Sequence, residues 1–274
     1  MNYILGASGL IGSAIASNLS GPECRIVPRS EYEKWGNLDE IQLFMESNSV
    51  SARDTFFVCS GITDPKGNSN ELRFLNVEVP LNLISKSKMF EANVVTFGSI
   101  QENSRVVNPY VQSKKEFLRE ACLDNPYSGH LHFQLHTVYG LLTPKRHMLL
   151  GMFLDAIQKG VTLEMTSGNQ YREYWHALDV ANFVLSGKWK TRIELIIPVS
   201  SGQPVQIAEL ASKVFEHFCE IELLKLGTIP DDPSETYNRN MFIESHNARE
   251  FMREPIQGVI DYLSKFIQEP NHVK

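Results

Sequence analysis

The chain has 274 residues, of which 42% are hydrophobic and 21% charged, and its formal net charge is -6 at pH 7. This composition is typical of a folded globular protein and excludes a disordered or collagen-like chain. The acidic balance excludes a broad basic surface for nucleic acid or anionic membranes, while local basic pockets stay compatible with it. The length predicts one large α/β domain, or one with a smaller companion.

The first half of the chain predicts strands that alternate with helices. Residues 2–5 are short, apolar and β-prone, and after a glycine turn the apolar residues of 10–19 recur at helical spacing. The same patterns predict further strands at 25–27, 54–59, 93–97 and 132–138, and helices around 41–45, 81–89 and 110–122. Strands that alternate with helices indicate a parallel sheet.

Beyond Gly140 the pattern changes. A helix is predicted at 148–158, a strand at 194–199 and a last helix at 256–266. We therefore expect a first domain at 1–140 and a smaller second domain at 141–274, part of which returns to the sheet.

Cysteine usage and the amino terminus indicate a reducing compartment. Cys24, Cys59, Cys122 and Cys219 are scattered without zinc-like spacing, and a chain of this length does not need disulfides. The sequence has no apolar run near ~20 residues, and its start lacks the basic region of a signal peptide. We expect a soluble cytoplasmic protein with reduced, mostly buried thiols.

Gly6-Ala7-Ser8-Gly9-Leu10-Ile11-Gly12 fits the pattern G-x-x-G-x-x-G, directly after a strand and at the start of a helix. Glycines permit a tight turn and a close approach of the backbone to a pyrophosphate, whose charge the helix N–H groups meet. The alternative is a helix start that is merely rich in small residues. The position inside a βαβ pattern favours a dinucleotide site. Its candidate residues are Gly6, Ser8, Gly9, Leu10, Ile11 and Gly12.

The end of the second strand bears on the choice of cofactor. NAD sites usually carry an acid there, whereas NADP sites offer arginine and small hydroxyls. Here the strand ends in Val27-Pro28-Arg29-Ser30, and the first acid, Glu31, comes late. This favours NADP(H), with Arg29 and Ser30 on the 2′-phosphate, over NAD. The alternative is that Arg29 is a solvated turn residue.

Ser99, Tyr110 and Lys114 form a candidate catalytic set. The phenol of Tyr110 and the ammonium of Lys114 are four residues apart, hence on one helix face. A neighbouring cation favours the phenolate, which brings the phenol into range for proton transfer. Ser99 lies just past an apolar strand, in place to bond the oxygen of the reacting carbon.

With these residues the chain resembles the extended short-chain dehydrogenases/reductases, specifically their nucleotide-sugar epimerase/dehydratase/reductase group. The resemblance spans roughly residues 1 to 265 and also rests on Asn76-Val77 and Val138-Tyr139-Gly140. Its most specific part is Arg172-Glu173-Tyr174-Trp175-His176-Ala177-Leu178-Asp179-Val180-Ala181, which is similar to the family signature Arg-Asp-Phe-x-His-Val-x-Asp-Val-Ala.

The resemblance implies an α/β fold, a Rossmann-type doubly wound parallel sheet with a smaller carboxy-terminal domain that binds a nucleoside-diphosphate sugar. It implies that Ser99 orients the sugar oxygen, Tyr110 is the acid/base and Lys114 binds the nicotinamide ribose. It also suggests a homodimer that includes the Tyr110 helix. The further cofactor contacts implied are Asn37, Leu38, Cys59, Ser60, Gly61 and Asn76, and the implied substrate contacts are Ser99, Thr137, Arg172 and Arg239.

Several positions depart from the family. Dehydratases place an Asp-Glu pair after the active-site residue, but Ile100 and Gln101 follow Ser99, which disfavours dehydration. Gln101-Glu102 stands where many epimerases begin a longer insertion, Thr137 where an Asn is common, and Gln134 where an Arg is common. His130, His132 and His136 show no matching acid or cysteine cluster, so we expect no metal site.

These observations favour reduction of the 4-keto group of a nucleoside-diphosphate 6-deoxy sugar by NADP(H). The alternative is an epimerase that retains its cofactor, since both reactions use the same hydride chemistry and only Arg29-Ser30 favours net reduction. A third possibility is a sensor or scaffold without turnover. Retention of Ser99, Tyr110 and Lys114 together disfavours it, because a binding protein has no chemical need for a tuned phenol.

Overall fold

The structure, a computed structural model, describes residues 1–19, 21–64, 66–103, 108–187, 194–233 and 235–267. It divides the chain into two compact units. The first unit comprises Met1–Leu135 and Ala181–Val199, and the second comprises His136–Val180 and Ser200–Lys274. The chain thus leaves the first unit shortly before the expected boundary at residue 140, and a later segment returns to it.

The first unit is built on a six-stranded parallel sheet with the strand order β10-β5-β4-β3-β1-β2. Because β1 lies between β2 and β3, the strand order reverses next to β1, and ligands of such sheets bind outside the carboxyl ends of the strands at this point. The strands are β1 (Asn2–Leu5), β2 (Cys24–Val27), β3 (Thr55–Val58), β4 (Asn93–Ser99), β5 (His130–Leu135) and β10 (Ile196–Val199).

Helices flank this sheet. They are α1 (Leu10–Asn18), α2 (Arg29–Tyr32), α3 (Leu38–Ser47), α4 (Ser69–Arg73), α5 (Val79–Phe90), α6 (Pro109–Leu118) and α8 (Ala177–Ser186), which begins in the second unit. A π-helical turn at Phe74–Glu78 joins α4 to α5, and another at Arg119–Asp124 continues α6. The predicted α/β fold, a Rossmann-type doubly wound parallel sheet, is confirmed.

The core of the first unit is aromatic on one side of β1. Tyr3 stacks on Phe56 with ring centroids 4.7 Å apart, and Phe44 of α3 meets Tyr3 edge-on at 5.7 Å. These rings and the fully buried Trp35 belong to one continuous hydrophobic cluster. Burial of large rings is a main source of stabilisation in such a core, and it fixes α3 against the sheet.

The single strand predicted at 132–138 is wrong. The structure has β5 up to Leu135, paired with β4 and β10, and a separate strand β6 (Thr137–Tyr139), paired with β9 (Tyr174–His176) in the second unit. Polar and apolar residues share this segment without a glycine or proline, so the local pattern gave no sign of the break. The break is set by the strands on which each half pairs.

The second unit has a core of its own, around α7 (Leu149–Lys159), α9 (Ile207–His217) and α10 (Pro255–Ser264). Phe153 and Phe215 meet edge-on there at 5.6 Å. The remaining elements are the short strands β7 (Leu163–Glu164), β8 (Tyr171–Arg172), β11 (Val205–Gln206) and β12 (Leu224–Lys225), and 3-10 turns at Ile221–Leu223, Arg239–Met241 and Ala248–Glu250. In the part of the chain that the structure describes, helices fall short of the length and apolarity that crossing a membrane requires.

Candidate active site

The glycine loop after β1 is shaped by backbone contacts that exclude side chains. Gly6 has φ +76°, a left-handed conformation, and a Cβ there would lie 2.6 Å from Cα of Ser60. A Cβ on Gly12 would overlap the carbonyl group of Gly6. Gly9 is the N-cap of α1 and has no side chain to satisfy the first helix N–H groups. Such a bare helix start fits the pyrophosphate of a dinucleotide.

We expect Gly12→Ala to disrupt this loop, because the added methyl group must displace the backbone of Gly6. The affinity for the reduced nicotinamide cofactor, NADH or NADPH, should fall about tenfold or more, measured by fluorescence titration. Ser13→Ala is the matched control on the same helix, since its hydroxyl bonds only to Leu10 O within α1. Unchanged binding in Gly12→Ala would contradict the assignment of this loop to the cofactor.

The loop after β3 is held by Asn76. The side-chain Oδ1 accepts a hydrogen bond from Ile62 N at 2.9 Å, and Nδ2 donates to Ile62 O and to Ser113 Oγ, both at 3.0 Å. Asn76 lies in the π-helical turn, a feature frequent at functional sites. Asn76 therefore positions the loop that carries the predicted cofactor residues Cys59, Ser60 and Gly61, and its side-chain amide is engaged in doing so. Cys59 and Ser60 lie against Gly6, and Gly61 lies against Asn76 itself.

The residues predicted on the adenosine side are exposed. Arg29 and Ser30 begin the short helix α2, and Arg29 pairs with Glu33 at 3.6 Å and with Glu71 at 3.3 Å. Asn37 caps α3 by accepting from Asp39 N at 2.9 Å, and Leu38 follows it. Arg29 is thus accessible to a phosphate, but two carboxylates already neutralise it.

The structure brings Ser99, Tyr110 and Lys114 together. Asn108 caps α6 by accepting from Val111 N, and Pro109 takes the first helical position, so the helix starts directly before Tyr110. Tyr110 hydrogen-bonds the Ser99 hydroxyl at the end of β4. Lys114, one turn later, donates to Phe97 O at 2.9 Å.

The pKa of Tyr110 is raised in the structure, whereas the sequence-based expectation was that Lys114 lowers it. Burial raises the pKa of Tyr110 to about 12, with a further contribution from the charge of Glu102, and the bond from Ser99 opposes this only in part. Burial also lowers the pKa of Lys114, which Glu102 opposes. Without a ligand, Tyr110 is therefore a phenol at neutral pH.

Glu102 is the residue that the sequence reasoning missed. It lies buried in the 3-10 turn Ile100–Asn103, and its Oε1 accepts from Ser99 N at 3.0 Å. Its Oε2 accepts from His132 Nε2 at 3.1 Å and from Gln134 Nε2 at 2.9 Å. The available signals were an acid three residues after Ser99 and a glutamine in place of the family's arginine.

The other predicted substrate residues, Thr137, Arg172 and Arg239, lie in the second unit. Thr137 donates its backbone N–H to Glu173 O at 3.1 Å in a strand pair. Arg172 forms an ion pair with Glu235, and Arg239 is exposed at the start of a 3-10 turn. A diphosphate that binds Arg172 therefore has to replace Glu235 as its partner.

Glu173, inside the family-like signature, is fully buried and organises the second unit. Its carboxylate accepts from Trp175 Nε1, Ser200 Oγ, Ser201 N and Gly202 N, each at 2.9 Å. This set ties the loop after β10 to the strand β9. The signature residue is therefore a structural anchor of the loop.

The fold assembles a histidine cluster that the sequence did not indicate. Cys122 lies with His130 and His132 so that their ligand atoms are within 4.8 Å of one another, and Glu102 bonds to His132. The expectation that the histidines have no matching cysteine or acid is therefore wrong for His130 and His132. The hydroxyl of Thr96 lies 2.8 Å from His130 Nε2 and 2.8 Å from His132 Nδ1, so one nitrogen of each ring is engaged with Thr96.

No protein-family model and no curated protein matches the sequence. Solved structures match over nearly the whole chain. One is a dTDP-4-dehydrorhamnose reductase from Clostridium acetobutylicum, with 14% identity, coverage of 96% of this chain and 98% of the other, and a TM-score of 0.71. The chain has the fold of the extended short-chain dehydrogenases/reductases. This confirms the fold that the sequence resemblance implied.

Two further matches of this fold contain nicotinamide cofactors. The UDP-glucose 4-epimerase of Thermus thermophilus, in complex with NAD, has 16% identity, coverage of 97% and 99%, and a TM-score of 0.67. RMD from Pseudomonas aeruginosa, complexed with NADPH, has 16% identity, coverage of 97% and 99%, and a TM-score of 0.69. At these identities the similarity concerns the fold.

Proposed function

We propose that the protein reduces the 4-keto group of a nucleoside-diphosphate 6-deoxy sugar with NADPH. The observation that carries the proposal is the meeting of Ser99, Tyr110 and Lys114 at the carboxyl end of β4, in the unit that also holds the glycine loop. The contacts expected on the second unit are Thr137, Arg172 and Arg239.

The cofactor supplies the hydride. Tyr110 gives its phenol proton to the oxygen of the reduced carbon, and Ser99 holds that oxygen by a hydrogen bond. Lys114, fixed by its bond to Phe97 O, supplies a positive charge that stabilises the phenolate left on Tyr110. Because Tyr110 is a phenol before the reaction, it enters in the state that a reduction requires.

The second candidate is an epimerase that retains NAD(P). The pairing of Arg29 with Glu33 and Glu71 favours this alternative, because a neutralised arginine attracts a 2′-phosphate less strongly. Epimerisation uses the same three residues, first to remove and then to return a proton. The two reactions differ in net consumption of the cofactor.

An assay with purified protein separates them. NADPH or NADH is mixed with a panel of nucleotide-linked 4-keto-6-deoxy sugars, while absorbance follows the reduced nicotinamide and chromatography follows the sugar. We expect stoichiometric loss of NADPH, with slower loss of NADH. With the corresponding nucleotide-linked 4-hydroxy sugars, interchange of the two C4 configurations without loss of reduced cofactor would establish the epimerase instead.

The preference for NADPH should depend on Arg29. We expect Arg29→Gln to weaken NADPH binding about tenfold and to leave NADH binding unchanged, since only NADPH carries the 2′-phosphate. Glu71→Gln, which frees Arg29 from one carboxylate, should strengthen NADPH binding. Equal effects of Arg29→Gln on the binding of NADPH and NADH would show that Arg29 does not contact the 2′-phosphate.

A cytoplasmic homodimer built on the Tyr110 helix is part of the same proposal. The exposed side of α6 and the turn that follows it is charged, with Gln112, Lys115, Glu116 and Arg119 around one shallow depression. We expect size-exclusion chromatography with light scattering to give the mass of a dimer. The mass of a monomer would refute the homodimer.

A further inference from the structure

Glu102 is a buried carboxylate directly beside the candidate catalytic set. Only 6% of the residue is exposed, and it is held by donors from two strands, Ser99 N on β4 and the side chains of His132 and Gln134 on β5. Asn103 in turn donates to Gln134 Oε1 at 3.2 Å. A buried ionised group with this many donors has a fixed position.

Gly98 makes room for this carboxylate. A Cβ at Gly98 would overlap both Oε1 of Glu102 and Nε2 of His132. The strand β4 therefore lacks a side chain where the carboxylate and the imidazole meet. On either side of Gly98, Lys114 bonds to Phe97 O and Glu102 bonds to Ser99 N. Opposite charges therefore hold the two residues that flank Gly98.

A series of hydrogen-bonded side chains lies behind Glu102. An ionised carboxylate only accepts, so the proton between it and His132 is on Nε2 of His132. The Thr96 hydroxyl lies 2.8 Å from Nδ1 of that ring and 2.8 Å from Nε2 of His130, and the tautomers of the two rings set the direction of these bonds. Burial lowers the pKa of His130 to about 3, so this ring is neutral.

We propose that Glu102 is a positioning residue of the Ser99-Tyr110-Lys114 site, whose fixed negative charge keeps the proton on Tyr110 and the ammonium on Lys114. The carboxylate also holds the backbone N–H of Ser99, which places its hydroxyl against Tyr110. It does not touch the reacting atoms and acts through these three residues.

The charges around Glu102 are consistent with this role. Burial alone raises its pKa, but hydrogen bonds from His132 and Gln134 and the charges of His132 and Lys114 hold it below the usual value, so it is ionised at neutral pH. Its charge raises the pKa of Tyr110, opposes the loss of the Lys114 proton, and adds to the burial that raises the pKa of the Cys122 thiol to about 12. These groups lie on α6, the turn after it, and β5.

The consequence for catalysis rests on the proposed function. A tyrosine that holds its proton is a donor, which suits reduction, whereas oxidation of an alcohol needs the phenolate first. Glu102 thus biases the site towards reduction at neutral pH. Removing its charge should lower the pH at which Tyr110 ionises and raise the oxidation rate relative to the reduction rate.

The test is a titration of cofactor-free protein labelled with carbon-13 at tyrosine Cζ, in which the Tyr110 signal is assigned by its loss in Tyr110→Phe. In wild type we expect the signal to keep its phenol position through about pH 10, the ordinary midpoint of tyrosine. In Glu102→Gln the midpoint should fall by about one pH unit or more. Gln134→Leu removes a hydrogen bond but no charge, so its Tyr110 midpoint should match wild type. Glu102→Asp keeps the negative charge, so its midpoint should lie closer to that of wild type than to that of Glu102→Gln.

An unchanged midpoint in folded Glu102→Gln would overturn the proposal, as would an equal shift in Gln134→Leu, which would indicate a merely structural role. If Glu102→Gln does not fold, a wild-type midpoint at or below about pH 10 overturns it as well. The readout needs neither sugar nor cofactor. An inactive protein that shows the expected shift would refute the proposed function alone.

Discussion

Tyr110→Phe is expected to reduce turnover about 100- to 10,000-fold, the usual contribution of general acid catalysis, while NADPH binding stays within about twofold of wild type. The reason is that phenylalanine keeps the ring on α6 and removes only the proton donor that meets Ser99. Steady-state kinetics and fluorescence titration of the cofactor measure the two effects.

Tyr127→Phe is the matched control for this variant. Tyr127 is another partly buried phenol of the first unit, and its hydroxyl donates to Ala92 O at 3.0 Å, away from the candidate site. Its turnover should stay close to wild type. Full activity in Tyr110→Phe, or an equal loss in both variants, would refute the catalytic role of Tyr110.

Glu173→Leu is expected to lower the free energy of unfolding by about 3–5 kcal/mol. The leucine fills the site but leaves buried donors of Trp175, Ser201 and Gly202 without an acceptor. The second unit should therefore unfold at a lower denaturant concentration than in wild type. Near-ultraviolet circular dichroism of the aromatic side chains measures this unfolding.

Glu209→Gln on the exposed side of α9 serves as the control, with an expected change within about 0.5 kcal/mol. If Glu173→Leu were as stable as this control, the carboxylate would not anchor the loop after β10. Glu173 would then be free for a role in ligand binding.

Local features of the site were predictable from the sequence. The glycine loop and the pair Tyr110 and Lys114 depend on spacing within single elements, so the pattern places them without knowledge of the sheet. The tight contacts of Gly6 and Gly12 have the physical reason that the sequence suggested, glycines that permit a tight turn at a helix start.

Features that depend on tertiary contacts were not predictable. Glu102 acquires its partners only when β5 pairs with β4, which brings His132 and Gln134 beside the strand end. The same applies to Arg172, whose ion-pair partner Glu235 is far away in the chain. The helix α9 is a different case, because Ile207, Leu210, Ala211, Val214 and Phe215 recur at helical spacing and are buried. Their spacing predicts the helix, but the sequence analysis did not include it.

The proton state of Tyr110 required the structure as well. Spacing alone suggested that Lys114 lowers the pKa of the phenol, since it placed a cation one turn away. The structure adds burial and the charge of Glu102, both of which act in the opposite direction. Electrostatics of a site thus depends on every charge that the fold gathers, of which the sequence reveals only those on the same element.

The most direct measurement is a single-turnover reaction with NADPH that carries deuterium at the transferred position, followed by mass spectrometry of the sugar nucleotide. We predict that each molecule of 4-keto sugar gains one deuterium as one NADPH is consumed. A 4-keto sugar that gains no deuterium while the added NADPH stays intact would contradict the reductase. Interchange of the two C4 configurations of the corresponding 4-hydroxy sugar nucleotide, again without deuterium, would establish an epimerase with retained cofactor.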